Sequence, residues 1–307
     1  MTAKDELLQR LEFMGAAIDL PAVIDVGIAK DVHNGVANLL RKGLAIVSFN
    51  ILEDFIKKRS GEALDFLSGS GVEFALLTDA MQEAAILDTL SSLSFRAKLE
   101  KKNGGDGWRS LIQEEALKIH STGQTTFKIS SLSLASSGSN VQPADVVSIM
   151  SAFGIKGGWA KITAVIAMFG GGLPDAAQAY RNAFERRHSS AHSVGYQYSH
   201  AWLFSLKNEI IPLAVALDVL LAARCRQVKS NVTMRVEDHV IEDALKFRFL
   251  EQSGTLFRQT SSIGGASKKN WPDLQSALAA IRPTLEMRGE FLIVLDAGGR
   301  IKNWYVN

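Results

Sequence analysis

Apolar positions in this chain recur mostly at steps of three and four, the period of an amphipathic helix. From Asn34 to Phe66, Val36, Leu40, Leu44, Val47, Ile51 and Phe55 make one such stripe, which predicts a long helix with Asn34 as its N-cap. Lys57, Lys58 and Arg59 on its far turns are expected to form a solvated face. Leu77–Phe95 and Trp108–His120 carry the same pattern, on either side of a glycine- and charge-rich break at Lys101–Gly107. His120 falls near a helix end, where a cationic side chain suits the dipole, and is assigned no chemistry. Ser121–Asn140 is rich in Ser and Thr and predicts a loop with a short strand at Thr126–Ile129. Helices follow at Pro143–Phe153 and Trp159–Phe169, the first stopped by Gly154. Gly170-Gly171-Gly172 breaks the pattern, and Pro174-Asp175 opens the next helix. His200–Arg226 reads as a long apolar helix with Pro212 inside it, so residues 1–228 predict a helical bundle.

The pattern changes after Gln227–Glu237. Ala244–Phe257 alternates around Ser253-Gly254 and predicts a hairpin. Trp271–Met287 predicts a helix opened by Trp271-Pro272-Asp273, and Phe291–Leu295 with Ile301–Val306 flank a turn at Asp296-Ala297-Gly298-Gly299. Residues 235–307 are therefore expected to be a small α+β accessory domain on a mainly α protein. No internal repeat is evident.

Composition narrows the function classes. The 307 residues are 47% hydrophobic and 21% charged, enough apolar content for a substantial core. A net charge of +2 is too mild for a surface devoted as a whole to nucleic acid, so any basic site is local. Cys225, the single cysteine, allows no intrachain disulfide and no thiolate zinc site within one chain, and reads as a packed thiol. The charged start Met1-Thr2-Ala3-Lys4-Asp5-Glu6 lacks the apolar core of a signal peptide, and Ile162–Phe169 and Ile210–Ala223 are too short to span a bilayer. A cytoplasmic protein without membrane contact is expected.

The chemistry concentrates in Glu185-Arg186-Arg187-His188-Ser189-Ser190-Ala191-His192, with two arginines and two histidines in eight residues. Histidine exchanges a proton near neutral pH. Arginine offers a fixed fork of donors for a phosphate. Metal-free cleavage of RNA needs those tools: a base for the 2′-hydroxyl, an acid for the leaving 5′-oxygen, and a cation for the phosphorane. Arg181, Glu185, His188 and His192 share a helical face, whereas Arg187 and His192 diverge unless the helix breaks at Ser189-Ser190 or a second chain completes the site. Arg186 and Arg181 are candidate RNA contacts. Tyr196 and Tyr198 are candidates for stacking on a base, with packing against the bundle as the competing reading.

This string resembles the Arg-x(4–6)-His motif of the HEPN superfamily, commonly Arg-Asn-x-x-Ala-His preceded by acidic and basic residues. The order of helices over the first three quarters of the chain is similar too. The resemblance implies a HEPN-like bundle and a metal-independent endoribonuclease, usually a homodimer whose two motifs face each other, with many relatives acting as toxins or antiphage effectors. By position it implies Arg187 as the motif arginine and His192 as the motif histidine. His188 stands where asparagine is common, as a phosphate-positioning residue or second proton carrier, and Glu185 orients a neighbour. The implied substrate is single-stranded or loop RNA, with no cofactor, and the implied protein partners are a second copy and an antitoxin or defence component.

Two other readings compete. The bundle could be an inactive module that binds nucleic acid or a partner through the same surface. His188-x-x-x-His192 also has the spacing of a helical zinc pair, but it lacks the glutamate of His-Glu-x-x-His, and His200 is a poorly spaced third ligand. Gly170-Gly171-Gly172 lacks the lysine and serine of a phosphate loop and reads as a turn.

Overall fold

The computed structural model describes residues 1–135 and 140–306. Helix α1 (Ala3–Ile18) is set by a capping box between Thr2 and Asp5 and buries Leu7, Leu11, Met14 and Ile18. Helix α2 (Asp31–Ser68) starts three residues before the expected cap. Asn34 lies inside it, and its amide instead holds the preceding loop through the Val26 N–H and the Gly27 carbonyl. The expected stripe on α2 splits. Ile51 and Phe55 are buried, but Val36, Leu40 and Val47 face solvent along with Val32 and Leu39.

Leu77–Phe95 is not one regular helix. It runs as α3 (Asp79–Glu83), a π turn (Ala84–Asp88) and α4 (Thr89–Lys102). The Thr89 hydroxyl donates to the Ala84 carbonyl at 3.2 Å, five residues back, which favours the wider turn. Helix α5 (Trp108–Ser121) follows. Thr126–Ile129 forms no strand: Lys128 and Ile129 N–H groups donate to the Ser121 and Ser68 hydroxyls, so no ladder forms. The remainder of that predicted loop lies partly outside the described residues.

Helices α6 (Pro143–Ala152), α7 (Gly158–Met168), α8 (Ala176–His192) and α9 (His200–Ser230) complete the helical part. From Leu213 to Cys225 every residue of α9 is buried, and the helix continues through Pro212. Gly171 is required in the turn before α8. A Cβ there would lie 2.7 Å from Ile166 and 2.8 Å from the Phe169 ring. Among the described residues α2 is the one helix long and apolar enough to cross a membrane. It also carries buried Arg41 and Glu53 and packs against α1, α8 and α9, as a core helix does.

The C-terminal part is a five-stranded sheet in the order β3-β2-β1-β4-β5, with β1 (Lys246–Ser253), β2 (Leu256–Thr260), β3 (Lys269–Trp271), β4 (Glu290–Leu295) and β5 (Ile301–Tyr305). Both expected hairpins form, but Trp271 ends a strand, and α10 (Leu274–Arg288) starts after the Asp273 cap. Strands β1 and β4 pair in parallel. The pleat sorts β4 cleanly: Phe291, Ile293 and Leu295 join the core of the helices, while Leu292 and Val294 face α10. The protein is thus mainly α with a small C-terminal α+β unit, and one apolar core runs from α9 into the sheet.

Two buried polar groups fasten the sheet and its connector. Asp218 on α9 accepts from Arg59 Nε at 2.5 Å and from Trp304 Nε1 at 2.7 Å. Arg59 therefore belongs to a buried ion pair, not to the solvated face expected for Lys57–Arg59; its side chain is 11% exposed. Arg224, also buried, donates to the carbonyls of Val236, His239 and Gly154.

Candidate active site

The Asp175 carboxylate caps α8 by accepting the Gln178 N–H at 2.9 Å. Tyr180, Ala183 and Ser190 form the buried side of the helix, and Phe49 of α2 meets the Tyr180 and Phe184 rings edge-on. The helix remains regular to His192. The break considered at Ser189-Ser190 does not occur, because Ser190 is tucked into the helix interface at 5% exposure.

This continuity decides where each motif residue points. Arg181, Glu185, His188 and His192 are all exposed on one outward face. The His188 and His192 rings lie 4.7 Å apart, centroid to centroid, on the last turn. His192 also places its side chain where the helix dipole favours a cation. Arg187 falls in the inward series with Tyr180, Ala183 and Ser190, about 140° around the helix from His192. Its guanidinium is half-buried, its Nε has no acceptor among the described residues, and its charge faces Glu53 of α2. Burial pushes the Glu53 carboxyl above its ordinary range, against the Val141 N–H hydrogen bond and the Arg187 charge.

Two further candidates are committed elsewhere. Arg186 forms a largely buried ion pair with Glu209 of α9, so it is not a free RNA contact. Tyr198 is 2% exposed, with Tyr196 and Trp202 edge-on to it, so its ring is closed to a base. Burial, opposed by Arg186, pushes its phenol up to about 12. Tyr196 is half-buried.

The segment after His192 is held by side chains whose part in the site was not read from the sequence. Asn38 of α2 donates to the Tyr196 carbonyl and accepts the Tyr198 N–H. Arg41 donates to the Tyr198 carbonyl at 2.6 Å, and Lys42 to the Ser193 carbonyl at 2.7 Å. The available signal was a polar cluster, Asn38, Arg41 and Lys42, inside the otherwise apolar run 36–47. These bonds fix the end of α8, and with it both imidazoles, against α2.

Among the described residues no three His, Cys, Asp or Glu side chains gather as a metal site. His200, the possible third ligand, has its Nε2 3.1 Å from the Ile18 carbonyl oxygen. Comparison of the chain with protein-family models, with curated proteins and with solved structures finds no match in any of the three.

Proposed function

We propose that this protein is a metal-independent endoribonuclease of the HEPN type, acting on single-stranded or loop RNA as a toxin or defence effector in the cytoplasm. The observation that carries this reading is the exposed His188–His192 pair on the anchored end of α8. Two neighbouring imidazoles can divide the proton steps, one taking the 2′-hydroxyl proton and the other protonating the 5′-oxygen. In this reading His192 is the principal proton carrier and His188 the second. Arg181 and Glu185 share their face. Arg187, turned toward Glu53, reaches the phosphate only in a rearranged or paired state.

A second copy of the chain is the partner that fits this requirement. Val32, Val36, Leu39, Leu40 and Val47 leave an apolar stripe exposed on α2, the helix that also anchors the end of α8. Pairing through that stripe would set two copies of the motif in one assembly. Light scattering should then give a dimer, and Leu39→Lys should give a monomer with reduced cleavage.

The direct test is incubation of the purified chain with labelled loop RNA in excess chelator. Cleavage is expected, leaving 2′,3′-cyclic phosphate and 5′-hydroxyl ends. His192→Ala should lower the rate by about 10²–10⁴-fold while the circular dichroism spectrum is unchanged. Full activity of that variant, or strict dependence on added metal, would refute the mechanism. The inward Arg187 and the Arg186–Glu209 pair favour one alternative, an inactive RNA-binding module, because they leave the outward face short of cations. RNA binding without cleavage of any substrate would select it.

A further inference from the structure

The seam between the helices and the sheet holds a second basic feature, remote in sequence from the histidine motif. A cavity of about 480 Å³ opens there, walled by the start of α1, the C-terminal halves of α2 and α9, α10 and the end of β5. Its wall carries four cations, Lys4, Arg59, Arg226 and Arg282, against three carboxylates, Asp5, Glu62 and Asp218. All three carboxylates are engaged. Asp5 closes the Thr2 capping box, Glu62 accepts the Ala3 N–H, and Asp218 takes Arg59 and Trp304.

Most of the cations are not matched in the same way. Arg59 alone among them is ion-paired within the wall. Lys4 donates to the Trp304 carbonyl and lies 4.3 Å from the Tyr305 ring centroid. Arg282 is exposed and stacks on the same ring at 4.9 Å. Arg226 sits 3.8 Å over Phe291, and both its terminal nitrogens are buried without an acceptor among the described residues. Those nitrogens are closed even to water, so Arg226 contributes its charge to the wall and no direct contact. Burial also lowers the pKa of Lys4, so a bound anion would favour its charged form.

We infer that this cavity binds a phosphorylated small molecule, its phosphate held between Lys4 and Arg282 beside the Tyr305 ring, with the Arg226 charge behind them and its organic part against Phe66. Arginine forks match phosphate oxygens in pairs, and the volume is that of an ordinary ligand pocket. An occupant would tie α1, α9, α10 and β5 together and so stabilise the folded chain. This assignment does not depend on the nuclease reading, because its test measures binding alone.

Titration calorimetry on the full chain in about 150 mM salt, where long-range charge attraction is screened, provides the test. The probes are inorganic phosphate, pyrophosphate and AMP. AMP should bind saturably, one per chain and more tightly than inorganic phosphate, and should raise Tm. Arg282→Ala, an exposed position that leaves the fold intact, should weaken it by about tenfold or more, as should Lys4→Met, which keeps a stem against Tyr305. Lys30→Ala, roughly 40 Å away along α2, should bind like the parent. The inference is overturned by an absence of saturable binding, by unchanged affinity in both cavity variants, or by an equal loss in Lys30→Ala. Equal affinity for inorganic phosphate and AMP would overturn the organic-phosphate assignment.

Discussion

Replacing Asp218 with Ala should be among the most damaging single changes in this chain. The carboxylate is 2% exposed and its partner Arg59 11%, so solvent does little to screen the pair. Burial opposes the Arg59 charge, yet the Asp218 charge and hydrogen bond outweigh it and hold the guanidinium above its ordinary pKa. Removing the carboxylate leaves that largely buried cation with Glu62 alone, at 3.7 Å, and also frees the Trp304 indole N–H. Breaking a buried pair from one side costs about 3–5 kcal/mol, most of it the desolvation of the charge left behind. Trp304→Phe removes one hydrogen bond to a charged group and some volume, and should cost about 1.5–3 kcal/mol. Urea unfolding followed by tryptophan emission and by circular dichroism measures both, provided the two transitions coincide. A second measurement separates charge from packing: Arg59→Met combined with Asp218→Ala should lose less than the two single changes added together. A loss below about 1 kcal/mol in Asp218→Ala, or strict additivity, would refute the account of this centre as a coupled buried network.

Two more outcomes follow from buried groups. Burial pushes the Cys225 thiol up to about 12, so a thiol reagent at mildly alkaline pH should leave the native protein unmodified and label one site per chain after unfolding; native labelling would refute the burial argument. Glu53 is raised by burial above its ordinary value of 4.5, so its contribution relative to a neutral amide is present below that value and lost as pH climbs through the folded-state value. The Tm of the parent minus that of Glu53→Gln should therefore fall as pH rises from about 4.5 toward neutrality, and a constant gap would contradict it.

Local patterns carried much of the architecture. The long helices were legible because their apolar steps are intrinsic to the chain, and both hairpins because their turns need few residues. Helix α1 was not read, although Leu7, Leu11, Met14 and Ile18 repeat at helical steps behind a Thr2–Asp5 cap. Strand β3 is three residues long, too short for a period, and the parallel β1–β4 pairing joins segments about forty residues apart. The role of Asp218 was not legible in the sequence because its partners lie on α2 and β5. At the candidate site, the outward face of Arg181, Glu185, His188 and His192 followed from spacing alone. The same arithmetic puts Arg187 with Tyr180, Ala183 and Ser190, away from His192, and the unbroken helix through Ser189-Ser190 keeps it there. That Arg186 is spoken for by Glu209 depends on how α8 and α9 meet, which no local pattern encodes.

The Arg224 bonds to Val236, His239 and Gly154 have a mechanical consequence. They turn the passage from the last long helix to the first strand into a riveted bracket, so the sheet cannot pivot as a lever on a loose tether. A displacement of α9 itself is then one route from that end of the protein to the two imidazoles, because α9 meets α8 at the far end through Glu209.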